Sequence, residues 1–126
     1  MTRLLLVEDN DINRNMETRM LQKLGYEVDA VANGADALVA LDRLDYHAVL
    51  LDVQMPVMDG FTTAREIRAR GRTDLPIIAV TAHAFISDRE RCLAAGMNDY
   101  LAKPVTLKIL GDMVGRWAGA SGNAAR

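Results

Sequence analysis

Cysteine is almost missing from this sequence. Cys92 stands alone among 126 residues, so no internal disulfide can form, and a reducing cytosol is the simplest compartment. Its neighbours Leu93, Ala94 and Ala95 mark a packed thiol rather than a reactive one. Long apolar runs are also lacking. None approaches the ~20 residues that span a bilayer, and the start has no basic-then-apolar signal segment, so no membrane partner is expected. Neither sign of charge dominates: the net charge is −2 with acids and bases mixed, which argues against a dedicated nucleic-acid surface. Internal repeats, low-complexity tracts and Pro/Gly-rich linkers are absent too. The chain therefore reads as one domain, long enough for a core, with half its residues hydrophobic and a quarter charged.

What is present is an alternation. Short apolar β-type runs are separated by segments of helical period, the pattern of βαβ units on a parallel sheet. The sequence predicts strands near 3–7, 27–31, 48–52, 77–81 and 98–102. Those near 48 and 77 are almost wholly apolar, as strands covered on both faces are. Glu27-Val28-Asp29-Ala30-Val31 alternates polar with apolar and belongs at an edge. Between them, Ile12, Met16, Met20 and Leu24 recur every four residues, Leu21 widens the stripe, and Gly25 ends the helix. Asn33 caps a second helix with the stripe Ala37, Leu38, Leu41 and Leu44. Phe61, Ala64 and Ile67 face a third inward, ended before Gly71. Ser87-Asp88-Arg89-Glu90 has the form of a capping box opening a fourth, closed by Gly96. Thr106 caps a fifth, with Leu107, Leu110, Met113, Val114 and Trp117 facing inward. Five βα units give an α/β fold, a flavodoxin-like, doubly wound (βα)5 sandwich with helices on both faces of a five-stranded parallel sheet. They are too few for an eight-stranded barrel.

Right-handed crossovers put every strand's carboxyl end on one edge, where open α/β folds place their sites. Glu8 and Asp9 follow the first strand, Asp52 ends the third, Thr81 ends the fourth and Lys103 follows the fifth. Three carboxylates brought together repel unless a cation neutralises them, and hard oxygen ligands with room for water suit Mg²⁺. Taken alone, Glu8-Asp9 reads as an acid pair favoured at a helix N-terminus, preceding Asn10. Lys103 alone reads as a solvated loop lysine beside a strand-ending proline, or as one turned back over the sheet by a cis Lys-Pro bond. Asp52 carries more weight, because an acid closing an apolar strand costs free energy without a partner. Together the groups suit a divalent cation and a phosphoryl group.

The segment from Asp52 to Gly60, Asp52-Val53-Gln54-Met55-Pro56-Val57-Met58-Asp59-Gly60, resembles the phosphoacceptor loop of response regulator receiver domains. The likeness runs through Val7-Glu8-Asp9-Asn10, Thr81-Ala82, Gly96-Met97-Asn98-Asp99-Tyr100 and Leu101-Ala102-Lys103-Pro104. The order and spacing, 43 residues from Asp9 to Asp52, 29 to Thr81 and 22 to Lys103, are similar to that family's. The resemblance implies that Asp52 accepts a phosphoryl group from a phosphohistidine on a sensor histidine kinase or histidine phosphotransfer protein. It implies that Asp9 binds Mg²⁺ directly, Glu8 mainly through water, and Gln54 through its backbone carbonyl. Lys103 and Thr81 would hold phosphoryl oxygens. Tyr100 stands where receivers carry a switch aromatic; the alternative is a half-buried strand tyrosine. Gln54 and His83 would flank the pocket, whereas His47 has no ligand partner in the sequence.

The reading that follows is a phosphorylatable switch rather than an enzyme, catalysing only its own phosphorylation and dephosphorylation. Residues 1–118 form the receiver and 119–126, small and polar, a flexible tail. Nothing beyond Trp117 is long enough for a DNA-binding or catalytic module, so output is expected to run through the fourth helix, last strand and fifth helix. The chain reads as a stand-alone regulator, a phosphotransfer intermediate or a receiver from a hybrid histidine kinase; Met1-Thr2-Arg3 running straight into a strand favours the first. Two other classes compete. A Mg²⁺-dependent phosphohydrolase of the haloacid dehalogenase type would also use an aspartate nucleophile, but it places a second acid where Gln54 stands. A flavodoxin-like FMN carrier would need a phosphate-cradling first loop, and Glu8-Asp9-Asn10-Asp11 is acidic.

Overall fold

The computed structural model describes residues 2–53, 60–81 and 86–119, without the side chains of 86–89 and 119. Gln54, His83 and the tail beyond Gly119 lie outside the described residues. Five strands, β1 (Arg3–Val7), β2 (Glu27–Val31), β3 (Ala48–Asp52), β4 (Ile77–Thr81) and β5 (Asp99–Ala102), alternate with five helices. These are α1 (Asp11–Lys23), α2 (Gly34–Arg43), α3 (Gly60–Ala69), α4 (Ile86–Ala94) and α5 (Leu107–Val114), the last continued by a π-helical turn, Gly115–Gly119. All pairings are parallel, in the order β2-β1-β3-β4-β5. This is the doubly wound order whose direction reverses between β1 and β3.

Alternation along the strands divides the core in two. Leu5, Val7, Val49, Leu51, Ile77 and Ala79 pack beneath α2, α3 and α4, where Ala37, Leu41, Phe61, Ala64, Ile67 and Cys92 meet them. Leu4, Leu6, Leu50, Ile78, Val80 and Leu101 point to the other face and meet Leu21, Leu110 and Val114 of α1 and α5. β3 and β4 are buried along their whole length, while β2 at the edge is only partly covered. The caps are local. Asn10, Asn33 and Thr106 accept hydrogen bonds from the backbone N–H groups of Asn13, Asp36 and Ile109, each worth about 1 kcal/mol. Gly25, at φ +97°, ends α1 in the left-handed region.

Four local expectations shift. β5 starts at Asp99 because the Asn98 side chain, not a strand partner, accepts the Ile77 N–H at 2.9 Å. Ser87 lies inside α4, which already includes Ile86, so it is not the cap of that helix. The largest difference is in α1. A strict four-residue spacing overshoots a full turn by about 40° per step, so the stripe rotates by about 120° between Ile12 and Leu24. Ile12 is 78% and Met16 40% exposed, whereas Leu21 and the unremarked Glu17 are buried. Leu44 of the α2 stripe is likewise exposed, lying beyond the last helical residue.

Candidate phosphoacceptor and metal site

Register brings the site together. Val7 pairs with Leu51, so Glu8 and Asp52 are the next residues on adjacent strands, at the switch point of the sheet. Asp52 pairs with Val80, and Thr81 with Ala102, which sets Lys103 one step beyond. Backbone hydrogen bonds carry the ladder past the strand ends: Glu8 N–H to Val31 at 3.0 Å, Val53 N–H to Val80 at 3.2 Å, and Lys103 N–H to Thr81 at 2.7 Å. Glu8, Thr81 and Lys103 are therefore held by their backbone, whatever their side chains do.

Glu8, Asp9 and Asp52 each offer a carboxylate oxygen within 4.8 Å of the others, the arrangement a shared cation needs. Glu8 and Asp52 are buried and Asp9 is exposed, so the cluster opens to solvent on one side. Lys103 reaches in from β5. Its Nζ lies 2.9 Å from Glu8 Oε1 and 3.7 Å from Asp52 Oδ2, and the Lys103–Pro104 peptide is cis. Thr81 is buried at the end of β4. Tyr100 is half-buried on β5 and packs against the core under α2, α3 and α4. His47 sits away from the site, its Nδ1 accepting the Arg3 N–H at 3.1 Å.

Gly60 opens α3 against the end of β3. A Cβ there would lie 2.5 Å from Val53 Cα and 2.7 Å from the Asp52 carbonyl oxygen, so only glycine allows this approach. The donor set fits Mg²⁺: carboxylates only, with a solvent-open side for water.

Burial raises the Glu8 carboxyl, but hydrogen bonding with Asp52 and Lys103, the ammonium charge and the Asn10 N–H outweigh it and hold the group below its usual range. Burial lowers Lys103, yet Glu8, Asp52 and Glu17 more than restore it, and the ammonium holds its proton above the ordinary range. Glu17 behaves oppositely. Burial, then the charge of Glu8, push it up to about 7 against a weaker pull from Lys103. Sequence reasoning passed over this residue, although the signal was there: an acid four residues before Leu21, on the face that Leu21 buries.

Known proteins resemble this chain in sequence and in fold. The family model described as "Response regulator receiver domain" matches residues 4–115. A hybrid signal transduction histidine kinase L from Dictyostelium discoideum is 41% identical over 96% of the chain, which spans only 7% of that protein's length. The receiver domain of a Pseudomonas aeruginosa PAO1 sensor histidine kinase, solved with a magnesium ion coordinated in its active-site cleft, is 48% identical with a TM-score of 0.86, covering 94% of this chain and 98% of that one. The receiver domain of the Saccharomyces cerevisiae response regulator Ssk1, crystallised with the histidine phosphotransfer protein Ypd1, is 29% identical with a TM-score of 0.89, covering 95% and 90%.

Proposed function

The chain belongs to the response regulator receiver family, whose members accept phosphoryl groups in two-component phosphorelays, and we propose that here Asp52 is the acceptor. The observation that carries this is the meeting of Asp52 with two further acids within 4.8 Å, while the Lys103 ammonium stands 3.7 Å from Asp52. An Asp52 carboxylate oxygen would attack phosphorus as the P–N bond of the donor phosphohistidine breaks and the imidazole leaves. Positioning and charge neutralisation supply most of the rate in such a transfer. Lys103 and Thr81 would take two equatorial oxygens of the phosphoryl group. Glu8, Asp9, Asp52 and the backbone carbonyl of Gln54 would hold Mg²⁺, whose charge, when bound, offsets that of the phosphoryl oxygens. Dephosphorylation would use the same groups with water as nucleophile, which makes the chain a self-resetting switch.

The receiver would be residues 1–118, working in the cytoplasm; no described helix is long and apolar enough to cross a membrane. Alternation places Thr81 and Tyr100 on one face of the sheet, with Ala79 paired to Tyr100 and Thr81 to Ala102. A pull on Thr81 by a phosphoryl group would leave room that Tyr100 enters, changing the surface of α4, β5 and α5 that a downstream protein reads. The donor would dock at the other side, on the exposed apolar residues Ile12 and Met16 in the first turns of α1, beside the cluster. Acetyl phosphate with Mg²⁺ should add one phosphoryl group to the wild type and none to Asp52→Asn. Label persisting in that variant, or incorporation undiminished by EDTA, would overturn the assignment.

A further inference from the structure

Glu17 has no part in the site as proposed, yet it lies beside it. Between α1 and the segment after β5 runs a cleft of about 300 Å³, lined by Asn13, Met16 and Glu17 on one side and Lys103, Pro104 and Val105 on the other. Glu17 is 3% exposed, and among the described residues no hydrogen bond or ion pair engages its carboxyl. No fully buried side-chain oxygen among the described residues lacks a partner, so the Glu17 carboxyl reaches the cleft; a charge so little exposed is still costly, and a leucine there would extend the Leu21 face at no such cost. The cation acting on Glu17 is Lys103, and Glu17 in turn acts on Lys103.

Lys103 cannot keep its present partners once a metal arrives. Its ammonium lies on oxygens of Glu8 and beside Asp52, two of the three carboxylates a divalent cation would claim. A divalent cation and an ammonium gathered on the same pair of carboxylates repel each other strongly. The lysine backbone is tied to β4 by its N–H bond to Thr81 at 2.7 Å, so the side chain is the part that would yield to a metal. The cleft gives it room, and Glu17 waits on its wall.

We propose that Glu17 is a positioning residue that takes the Lys103 ammonium when a divalent cation occupies Glu8 and Asp52, holding it at the site's edge for the phosphoryl group. The inference rests on the receiver reading, but its test reads metal binding alone. Mg²⁺ affinity is measured by calorimetry at pH 8 for the wild type, Glu17→Gln, Glu17→Asp, Lys103→Met and the Glu17→Gln/Lys103→Met double variant. Glu17→Gln should weaken Mg²⁺ about fivefold, since the displaced ammonium loses its second anion, and Glu17→Asp should restore most of that loss. In the Lys103→Met background, the same Gln substitution should change affinity by less than about twofold. Equal affinity in Glu17→Gln and wild type would overturn the proposal. So would an undiminished loss in the Lys103→Met background, because Glu17 would then act on the metal only through its field. Labelling of wild-type Asp52 by acetyl phosphate, run in parallel, reports separately on the receiver reading.

Discussion

Replacing Glu17 with glutamine removes an ionisable group from a site where ionisation is penalised, so the change should stabilise the metal-free protein, and by more as pH rises. The Glu17 carboxyl holds its proton to about 7 in the folded chain, against an ordinary 4.5. Below pH 4.5 both folded and unfolded states are protonated, and no penalty exists. As pH rises towards 7 the unfolded chain loses the proton while the folded one keeps it, so native stability falls across that window. Above about 7 both states are ionised and the loss is complete, at roughly 3 kcal/mol. Glutamine carries no such penalty. Urea unfolding in EDTA at pH 5 and pH 8 should therefore show Glu17→Gln gaining roughly 2–3 kcal/mol on wild type between the two, a midpoint shift of about 1 M or more. All other titrating groups are common to both proteins and cancel to first order. Unfolding curves whose separation is the same at pH 5 and pH 8 would refute the reasoning, because they would mean that Glu17 ionises as freely in the fold as outside it.

Other outcomes follow from the same geometry. Lys103→Ala leaves buried Glu8 and Asp52 without their cation, so the metal-free protein should lose about 1–3 kcal/mol by denaturant unfolding, and saturating Mg²⁺ should recover most of it. Gly60→Ala sets a Cβ 2.5 Å from Val53 Cα; it should cost about 1–3 kcal/mol and slow acetyl phosphate labelling by displacing Asp52. Ile12→Glu should slow transfer from a phosphohistidine protein at least tenfold while leaving acetyl phosphate labelling intact, and equal slowing of both would remove α1 from the docking surface. Trp117, the one tryptophan, donates its Nε1–H to Asp99 at 3.1 Å next to Tyr100, so its fluorescence should change on phosphorylation of the wild type but not of Asp52→Asn.

Legibility tracked how local each signal was. Strand positions came through almost to the residue, because runs such as Ala48–Leu51 and Ile77–Val80 are apolar on both faces and have no helical alternative of that length. Caps at Asn33 and Thr106 came through because one side chain and one N–H decide them. The meeting of Glu8, Asp9, Asp52 and Lys103 also came through, since parallel register alone delivers consecutive strand ends to one edge. What failed was rotation about a helix axis. The spacing of Ile12, Met16, Met20 and Leu24 fits a helix but does not say which side faces the sheet, and the packing of α1 chose the side of Glu17 and Leu21. A buried acid is invisible to any rule that seeks the core among apolar residues, and Glu17 was overlooked for that reason.

The two residues that would grip the phosphoryl group are not independent. Lys103 is bound through its N–H to the carbonyl of Thr81, one ladder step beyond the Thr81–Ala102 pair, and Tyr100 lies three residues before it, on β5. A shift of Thr81 towards Asp52 therefore strains the β4–β5 ladder at the point where Lys103 leaves it. The Lys103 ammonium can follow without breaking that ladder only if its side chain is free of Glu8, to which it is bound at 2.9 Å before any cation arrives. Metal occupancy would release the side chain, and phosphorylation would then pull the backbone. On that reading the order follows from the ion pair, and a site with an internal cation would still require an external one: one ammonium offsets only part of the charge of three acids at rest, and Lys103 would have to be displaced before it could serve a phosphoryl group.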